Sequence, residues 1–307
     1  MKKAFFIILT ILSITASAQI DSSLKVKPKY YPNWTLLIPG ATHFYDNRIL
    51  EGLVFSATEI GGITLGIIYD DKLKSNSTTP YYNFPLLIGM QAYNIDKCDW
   101  MRNRMELLKY YYPDFKYDPV KFNDLLKAPF KAENIFTSIT GGAIIVALAE
   151  LFIGGRHTNN YGDIDKMSFF NRYIDKNSAL AIYGATSLAT SYGAGIAEEY
   201  YFRNAVMPLL DYKYGKKKGL IYSSLAFGSM HFSNVLFSNN PDYGATLLQV
   251  AEASIIGYFL GRDVQNRGYK IGPAVSAHMW YDFTLMVGSF LIDPKNNYLG
   301  VDIKFKI

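Results

Sequence analysis

The sequence predicts an all-α fold: a polytopic helical membrane protein with about six or seven transmembrane helices and a four-helix core near its C-terminus. Three observations carry that expectation. Apolar windows of bilayer length recur along the chain, and a spanning helix needs roughly 20 such residues. Most of these windows are too long for buried strands and lack sustained period-2 alternation. Composition is the third: hydrophobic residues make up 50% and charged residues 19%, yet mean hydropathy is only +0.03. Such an average requires apolar segments alternating with polar loops. It also excludes a disordered chain, which combines low hydrophobicity with high net charge. The single cysteine, Cys98, excludes an intramolecular disulfide framework and a multi-cysteine zinc module; no disulfide-linked partner is expected. A formal charge of +5 is too mild to argue for nucleic acid, and none is expected as a partner.

Taken in order, the chain opens with MKKAFFIILTILSITASAQ. Basic Lys2 and Lys3 precede an apolar run from Ala4 to Ile14 and the small residues Ala16-Ser17-Ala18, the pattern of a secretory signal peptide over residues 1–18. Leu50 to Tyr69 is one bilayer long and carries Glu51 and Glu59; Tyr82 to Tyr93 is shorter and weaker. Asp96 to Lys131 is long and charged, and MRNRMELLKYYY within it reads as an amphipathic interface helix. Ile135 to Gly154 is a good span carrying Glu150, and Gly155 to Asn177 reads as a polar loop. Ser178 to Ala197 is rich in Gly, Ala and Ser, the composition that lets membrane helices approach closely. Gly219 to Phe237, Tyr243 to Gly261 and Ile271 to Ile292 complete the set. Basic residues fall in two loops, Lys213 with Lys216 to Lys218 and Arg262 with Arg267 and Lys270, whereas Ser238 to Asp242 has none. The positive-inside rule places both basic loops in the cytoplasm and Asn239-Asn240-Pro241 outside.

Ionisable residues inside membrane helices are expensive and mark interior or water-filled sites. They concentrate here in the last third of the chain. Glu198-Glu199-Tyr200-Tyr201-Phe202-Arg203 closes one span, with Glu199 and Arg203 at i, i+4, where carboxylate and guanidinium pair. Glu198 points about 100° away from Glu199. The next span holds Phe227-Gly228-Ser229-Met230-His231, and a later one His278-Met279-Trp280-Tyr281-Asp282. Two of the four histidines therefore sit in apolar helices, each with a specific i±4 neighbour. Two imidazoles and a carboxylate from three helices can hold and deprotonate a water, the glutamate as base and the histidines binding metal or polarising a carbonyl. Taken singly, an intramembrane histidine is more often a hydrogen-bonded packing group, and a Glu–Arg pair at this spacing an ordinary helix staple.

In combination these residues resemble a known family. EEYYFR resembles the EExxxR motif of the CAAX protease and bacteriocin-processing family of intramembrane proteases, FGSMH its FxxxH motif, and HMWYD its HxxxN/D motif. Gly257 to Arg262 is similar to the family's GxxxG-type helix before the last motif. The resemblance spans roughly Ser178 to Phe290 and implies an endopeptidase site inside the membrane. By that analogy Glu198 is the general base, His231 and His278 form the oxyanion or metal side, and Glu199 and Arg203 orient the motif. Asp282 stands where many members carry Asn. Zinc held by Glu198, His231 and His278 suits this set, and a metal-free glutamate mechanism uses the same residues. Both stay open.

The implied organisation is a signal peptide (1–18), an N-terminal membrane-associated region (19–132) with one or two spans and an amphipathic segment, a protease-like helical domain (133–293) and a tail (294–307). The implied substrate is a membrane-associated protein or peptide, and the location the bacterial inner membrane, in multi-pass form. A non-catalytic scaffold or maturation partner that keeps the fold is the alternative, and a transporter a weaker one. A β-barrel rests only on the alternating tail Leu299 to Ile307. His43, in PGATHFY, is expected at the membrane interface and His157 in solvent. Glu59, Glu150 and Glu252 are expected to pair inside the bundle.

Overall fold

The computed structural model describes residues 27–76, 84–154, 161–169, 172–232, 235, 242–294 and 301–302. The expected signal peptide, His157 and all of the 238–242 loop except Asp242 lie outside these residues. The described chain is mostly helical. In order come α1 (Ala41–Tyr45), α2 (Ile49–Asn76), α3 (Phe84–Tyr111), α4 (Phe122–Lys127), α5 (Ala132–Ile135) and α6 (Ser138–Gly154). Then follow β1 (Lys166–Phe169), β2 (Arg172–Asp175), α7 (Lys176–Glu199), a π-helical segment (Tyr200–Val206) and α8 (Met207–Tyr214). The chain closes with α9 (Lys216–Met230), α10 (Tyr243–Asn266), α11 (Gly272–Ile292) and β3 (Val301–Asp302).

Among the described residues, two helices meet the length and hydropathy of a membrane span, Ile49–Ile68 within α2 and Tyr243–Asn266, while Ser138–Ile153 is apolar but shorter. The remaining expected spans are helices of lower hydropathy, and burial shows why. Thr186, Ser187 and Ser191 of α7, Ser223 and Ser224 of α9 and Ser276 of α11 all face the interior. Three of these hydroxyls find local acceptors: Thr186 Oγ1 donates to the Ile182 carbonyl at 2.9 Å, and Ser223 Oγ and Ser224 Oγ to that of Leu220 at 3.0 and 2.7 Å. Helices that face protein on most sides need small size more than hydropathy.

Three local expectations change. The weak Tyr82 segment and the charged stretch after Asp96 form one continuous helix, α3, rather than a short span followed by an interface helix. Its second half is central: Trp100, Met101 and Met105 are buried in the main core alongside Ile196, Leu260 and Val275. Its charges tolerate this because they are partnered. Asp99 holds Arg48 and Arg102, and Arg102 reaches Glu106 at 2.5 Å. The polar 155–177 stretch contains a hairpin, β1 antiparallel to β2, and the alternating tail contributes β3, which pairs with β1 in the order β2-β1-β3. His43 is fully buried, not interfacial. Its Nδ1 lies 3.1 Å from Glu51 and its Nε2 3.1 Å from Asp96, with the ring stacked on Phe55. Glu59 is buried as well.

Asp175 starts α7. Its carboxylate accepts from the Asn177 and Ser178 amides, both at 3.0 Å, and from Ser178 Oγ at 2.5 Å. These bonds, the Ser178 hydroxyl foremost, hold its pKa below the usual carboxylate value.

Candidate active site

The site forms where α7 passes into the π-helical segment and meets α9, α10 and α11. Tyr200–Val206 winds as a π-helix immediately after Glu198-Glu199. Such wide turns are rare and collect at functional sites. Across that junction Arg203 Nη1 donates to Glu199 Oε1 at 2.9 Å, and both side chains are buried. The Arg203 guanidinium lies over the Phe227 ring, 4.0 Å from its centroid, a cation–π contact that ties α9 to the pair. Phe227 in turn presents its ring to His231 at 5.6 Å and to His278 at 5.9 Å, both edge-on.

His278 is the hub. Its Nδ1 lies 2.7 Å from Glu199 Oε1. A carboxylate paired with arginine only accepts, so the ring donates there and its orientation is set. The other nitrogen, Nε2, faces Asp282 Oδ2 at 3.4 Å and Glu198 Oε2 at 3.9 Å. His231 caps the end of α9, its amide bonded to the Gly228 carbonyl at 3.0 Å. Its Nδ1 is buried with no hydrogen-bond partner among the described residues.

His231, His278 and Asp282 line a common cavity of about 200 Å³ together with Phe227, Ala253 and Ala277. Residues of the second and third motifs thus share one cavity, while the first motif meets it only through His278. Glu198 joins the group through His278, its side chain 40% exposed and outside the cavity lining. Glu199 and Arg203 sit behind His278, buried and bonded to each other. As a zinc cradle the set fits poorly. Both nitrogens of His278 are turned to carboxylates, and no group of three or more His, Cys, Asp or Glu is arranged for a metal among the described residues.

Two close approaches make the geometry. A Cβ on Gly195 of α7 would meet Met279 of α11 at 2.9 Å from its backbone nitrogen, so only glycine lets the His278 helix lie this near. A Cβ on Gly257 of α10 would meet Arg203 Nη2 and Phe227 Cδ1, each at 3.0 Å. Met279, one residue from His278, is fully buried in that first contact. A loop residue outside the motif stretch completes the frame. Asp118 exchanges two bonds with Asn204 of the π-helical segment, at 2.8 and 3.0 Å, and accepts the Ile271 amide at the start of α11 at 3.0 Å. Burial raises its carboxyl above the usual range, opposed by that amide and by Lys270.

Sequence reasoning passed over Tyr281. Its hydroxyl lies 2.8 and 3.0 Å from the two oxygens of Glu150 and 3.3 Å from Glu252, and all three residues line the same cavity. The expected pairing of Glu150 and Glu252 inside the bundle therefore holds, through a phenol. The available signal was Tyr281 standing three residues after His278, on the same helical face.

No curated protein and no solved structure matches the chain. Residues 181–284 match the family model described as Type II CAAX prenyl endopeptidase Rce1-like. That stretch runs from within α7 to two residues past Asp282 and holds all three motifs. The chain therefore carries, over residues 181–284, an Rce1-like domain of the CAAX protease family, whose members are membrane-embedded endopeptidases.

Proposed function

We propose that the chain is an intramembrane endopeptidase that hydrolyses a peptide bond of a membrane-associated protein or peptide. The observation that carries the reading is His278, locked by Glu199 on one side and facing Asp282 and Glu198 on the other, in a cavity it shares with His231. In this reading Glu198 takes a proton from a water held between it and the substrate carbonyl. The resulting hydroxide attacks the carbonyl carbon. The oxygen that becomes negative is stabilised by His231 and His278, and Glu198 returns its proton to the departing amine as the C–N bond breaks. Glu199, Arg203 and Phe227 act one layer back by holding His278 and the end of α9 in place. No step is routed through a metal, because the donor set does not form a cradle for one.

The setting we propose is multi-pass in the bacterial inner membrane, with the Lys213–Lys218 and Arg262–Lys270 loops on the cytoplasmic face. The test is cleavage of peptide substrates by the chain reconstituted in lipid. Glu198→Gln is expected to lower kcat about 10²–10⁴-fold, and His231→Ala or His278→Ala about 10²–10³-fold. Activity like the wild type in all three variants overturns the reading. A non-catalytic scaffold is the second reading, and one observation favours it: Glu198 stands outside the cavity lining. Full cellular function of the same three variants would select it.

A further inference from the structure

Exposed cations gather where two loops meet, away from the cavity. Lys216, Lys217 and Lys218 open α9, and Arg262, Arg267 and Lys270 lie at the turn from α10 into α11. The loops are distant in sequence but bonded to each other. Gln265 Nε2 donates to Asp211 Oδ2 at 2.7 Å and to the Lys216 carbonyl at 3.0 Å, and the Tyr269 hydroxyl donates to Asp211 at 2.8 Å. The Lys216 ammonium lies over the Tyr269 ring, 5.8 Å from its centroid. Asp211 is buried beneath this junction and serves neutral donors rather than an ion pair. Asp118 lies near Lys270 but is committed to the Ile271 amide. Among the described residues, only Arg267 of these cations has a carboxylate within ion-pair reach, Asp263 at 2.7 Å.

The packing of α9 on α10 fixes the height of the charges. A Cβ on Gly257 would meet Phe227 Cδ1 at 3.0 Å and Ser224 Cα at 3.6 Å, and one on Gly261 would meet Leu220 Cδ1 at 2.7 Å. The two helices therefore run antiparallel, and continuing that register brings Lys217 and Lys218 to the level of Arg262. Just inside that level both helices expose apolar side chains. Lys217, Ile221 and Leu225 share one stripe on α9, and Ile255, Phe259 and Arg262 another on α10. On each helix large apolar residues give way to a cation at the same height. The exposed rings of Tyr214 and Tyr222 meet edge to face at this end, 5.6 Å apart, and tyrosine favours the headgroup level of a bilayer. The opposite ends of α9 and α10, residues 229–232 and 242–248, carry no Lys or Arg. Unpaired cations that rim apolar helices match a negative phosphate at the surface of hydrocarbon. A soluble anion leaves the apolar stripes unused, and a neutral lipid leaves the cations unused.

We propose that this joined face binds the phosphate of an anionic phospholipid headgroup through Lys217, Lys218 and Arg262. The acyl chains lie along the stripes of Ile221 with Leu225 and Ile255 with Phe259, and the lysine stems reach past them to the headgroup plane. The site uses no motif residue and is independent of the peptidase reading.

The full chain in a neutral detergent is titrated with phosphatidylglycerol or with phosphatidylcholine of the same acyl chains, and bound lipid is counted by native mass spectrometry. At roughly fivefold per surface cation, phosphatidylglycerol is expected to bind on the order of 10²-fold tighter. That ratio is expected to fall towards one in Lys217→Gln/Lys218→Gln/Arg262→Gln and to persist in Lys217→Arg/Lys218→Arg. It is also expected to persist in Lys121→Gln/Lys127→Gln/Lys166→Gln, which removes the same charge from exposed positions elsewhere. Equal binding of the two lipids by the wild type, or a preference that survives the first triple variant, overturns the proposal. So does displacement of phosphatidylglycerol by inorganic phosphate or by a short single-stranded RNA at matched ionic strength, which would assign the face to a soluble anion or to nucleic acid.

Discussion

At the residue scale, the Glu199–Arg203 pair is where chemistry and stability meet. Both side chains are buried, and Glu199 Oε1 serves two donors at once, Arg203 at 2.9 Å and His278 at 2.7 Å. Removing one member of a buried pair strands the other's charge, at a cost of about 3–5 kcal/mol. Arg203→Met is therefore expected to destabilise the folded chain by that order. Adding Glu199→Gln is expected to restore a sizeable part, since no buried charge is then left alone. Equilibrium unfolding of the single and double variants in mild detergent checks this; a double variant no more stable than Arg203→Met contradicts it. Glu198 behaves differently. Among the described residues it has no comparable bond, and its side chain stays 40% exposed. The EExxxR spacing was legible in the sequence because i, i+4 is a local relation. That the second glutamate would also hold His278 was not, because 79 positions separate the two residues.

At the scale of elements, the crossing of α7 and α11 decides whether the site exists. Gly195 faces the backbone of Met279, next to His278, and the nearest atoms to a Cβ there are the Met279 nitrogen, Cβ and Cα, none of which can rotate away. Gly195→Ala is expected to push α11 outward by a fraction of an ångström and to cost about 1–3 kcal/mol as overpacking. Displacing His278 from Glu199 is expected to reduce hydrolysis by far more than the loss of stability accounts for. Thermal unfolding and kcat measured on the same preparation check it, and an unchanged kcat in a destabilised Gly195→Ala chain counts against the geometry. Helix boundaries read from apolar windows came close here: Ile271 to Ile292 was expected and α11 is Gly272–Ile292. For α3 the window failed. Trp100, Met101 and Met105 are interspersed with charges, one of whose partners, Arg48, comes from the distant connection before α2, so the local pattern read as interface.

At the scale of the whole molecule, several helices present large apolar side chains outward, while the interior combines large apolar side chains with small and polar ones. Leu53, Val54, Ile60 and Ile67 of α2, Phe152 and Ile153 of α6, and Leu247, Leu248, Ile255 and Phe259 of α10 are all exposed. Contiguous apolar surface of this kind marks contact with lipid or with partners. One core joins the N-terminal helices to the motif helices, since Ile95 and Met105 cluster with Ile196, Leu260 and Val275. The proposed topology is checked with single cysteines in a Cys98→Ser background. Lys217→Cys is expected to react with an impermeant maleimide only from the cytoplasmic side, and Asn239→Cys only from the outside. Labelling of both from one side contradicts the arrangement.

The amino-acid sequence by itself determined the helical class, the places where ionisable residues interrupt apolar helices, and the pairing of Glu199 with Arg203. All are read from periodicity, which is a property of neighbours along the chain. Only the tertiary structure decided that His43 lies buried between Glu51 and Asp96, that α3 is a single central helix, and that Tyr281 gathers Glu150 and Glu252. Glu150 lies 131 positions from Tyr281 and Glu252 lies 29. Their meeting depends on how closely helices cross, and that is set by residues such as Gly195 and Gly257 whose only contribution is the absence of a side chain.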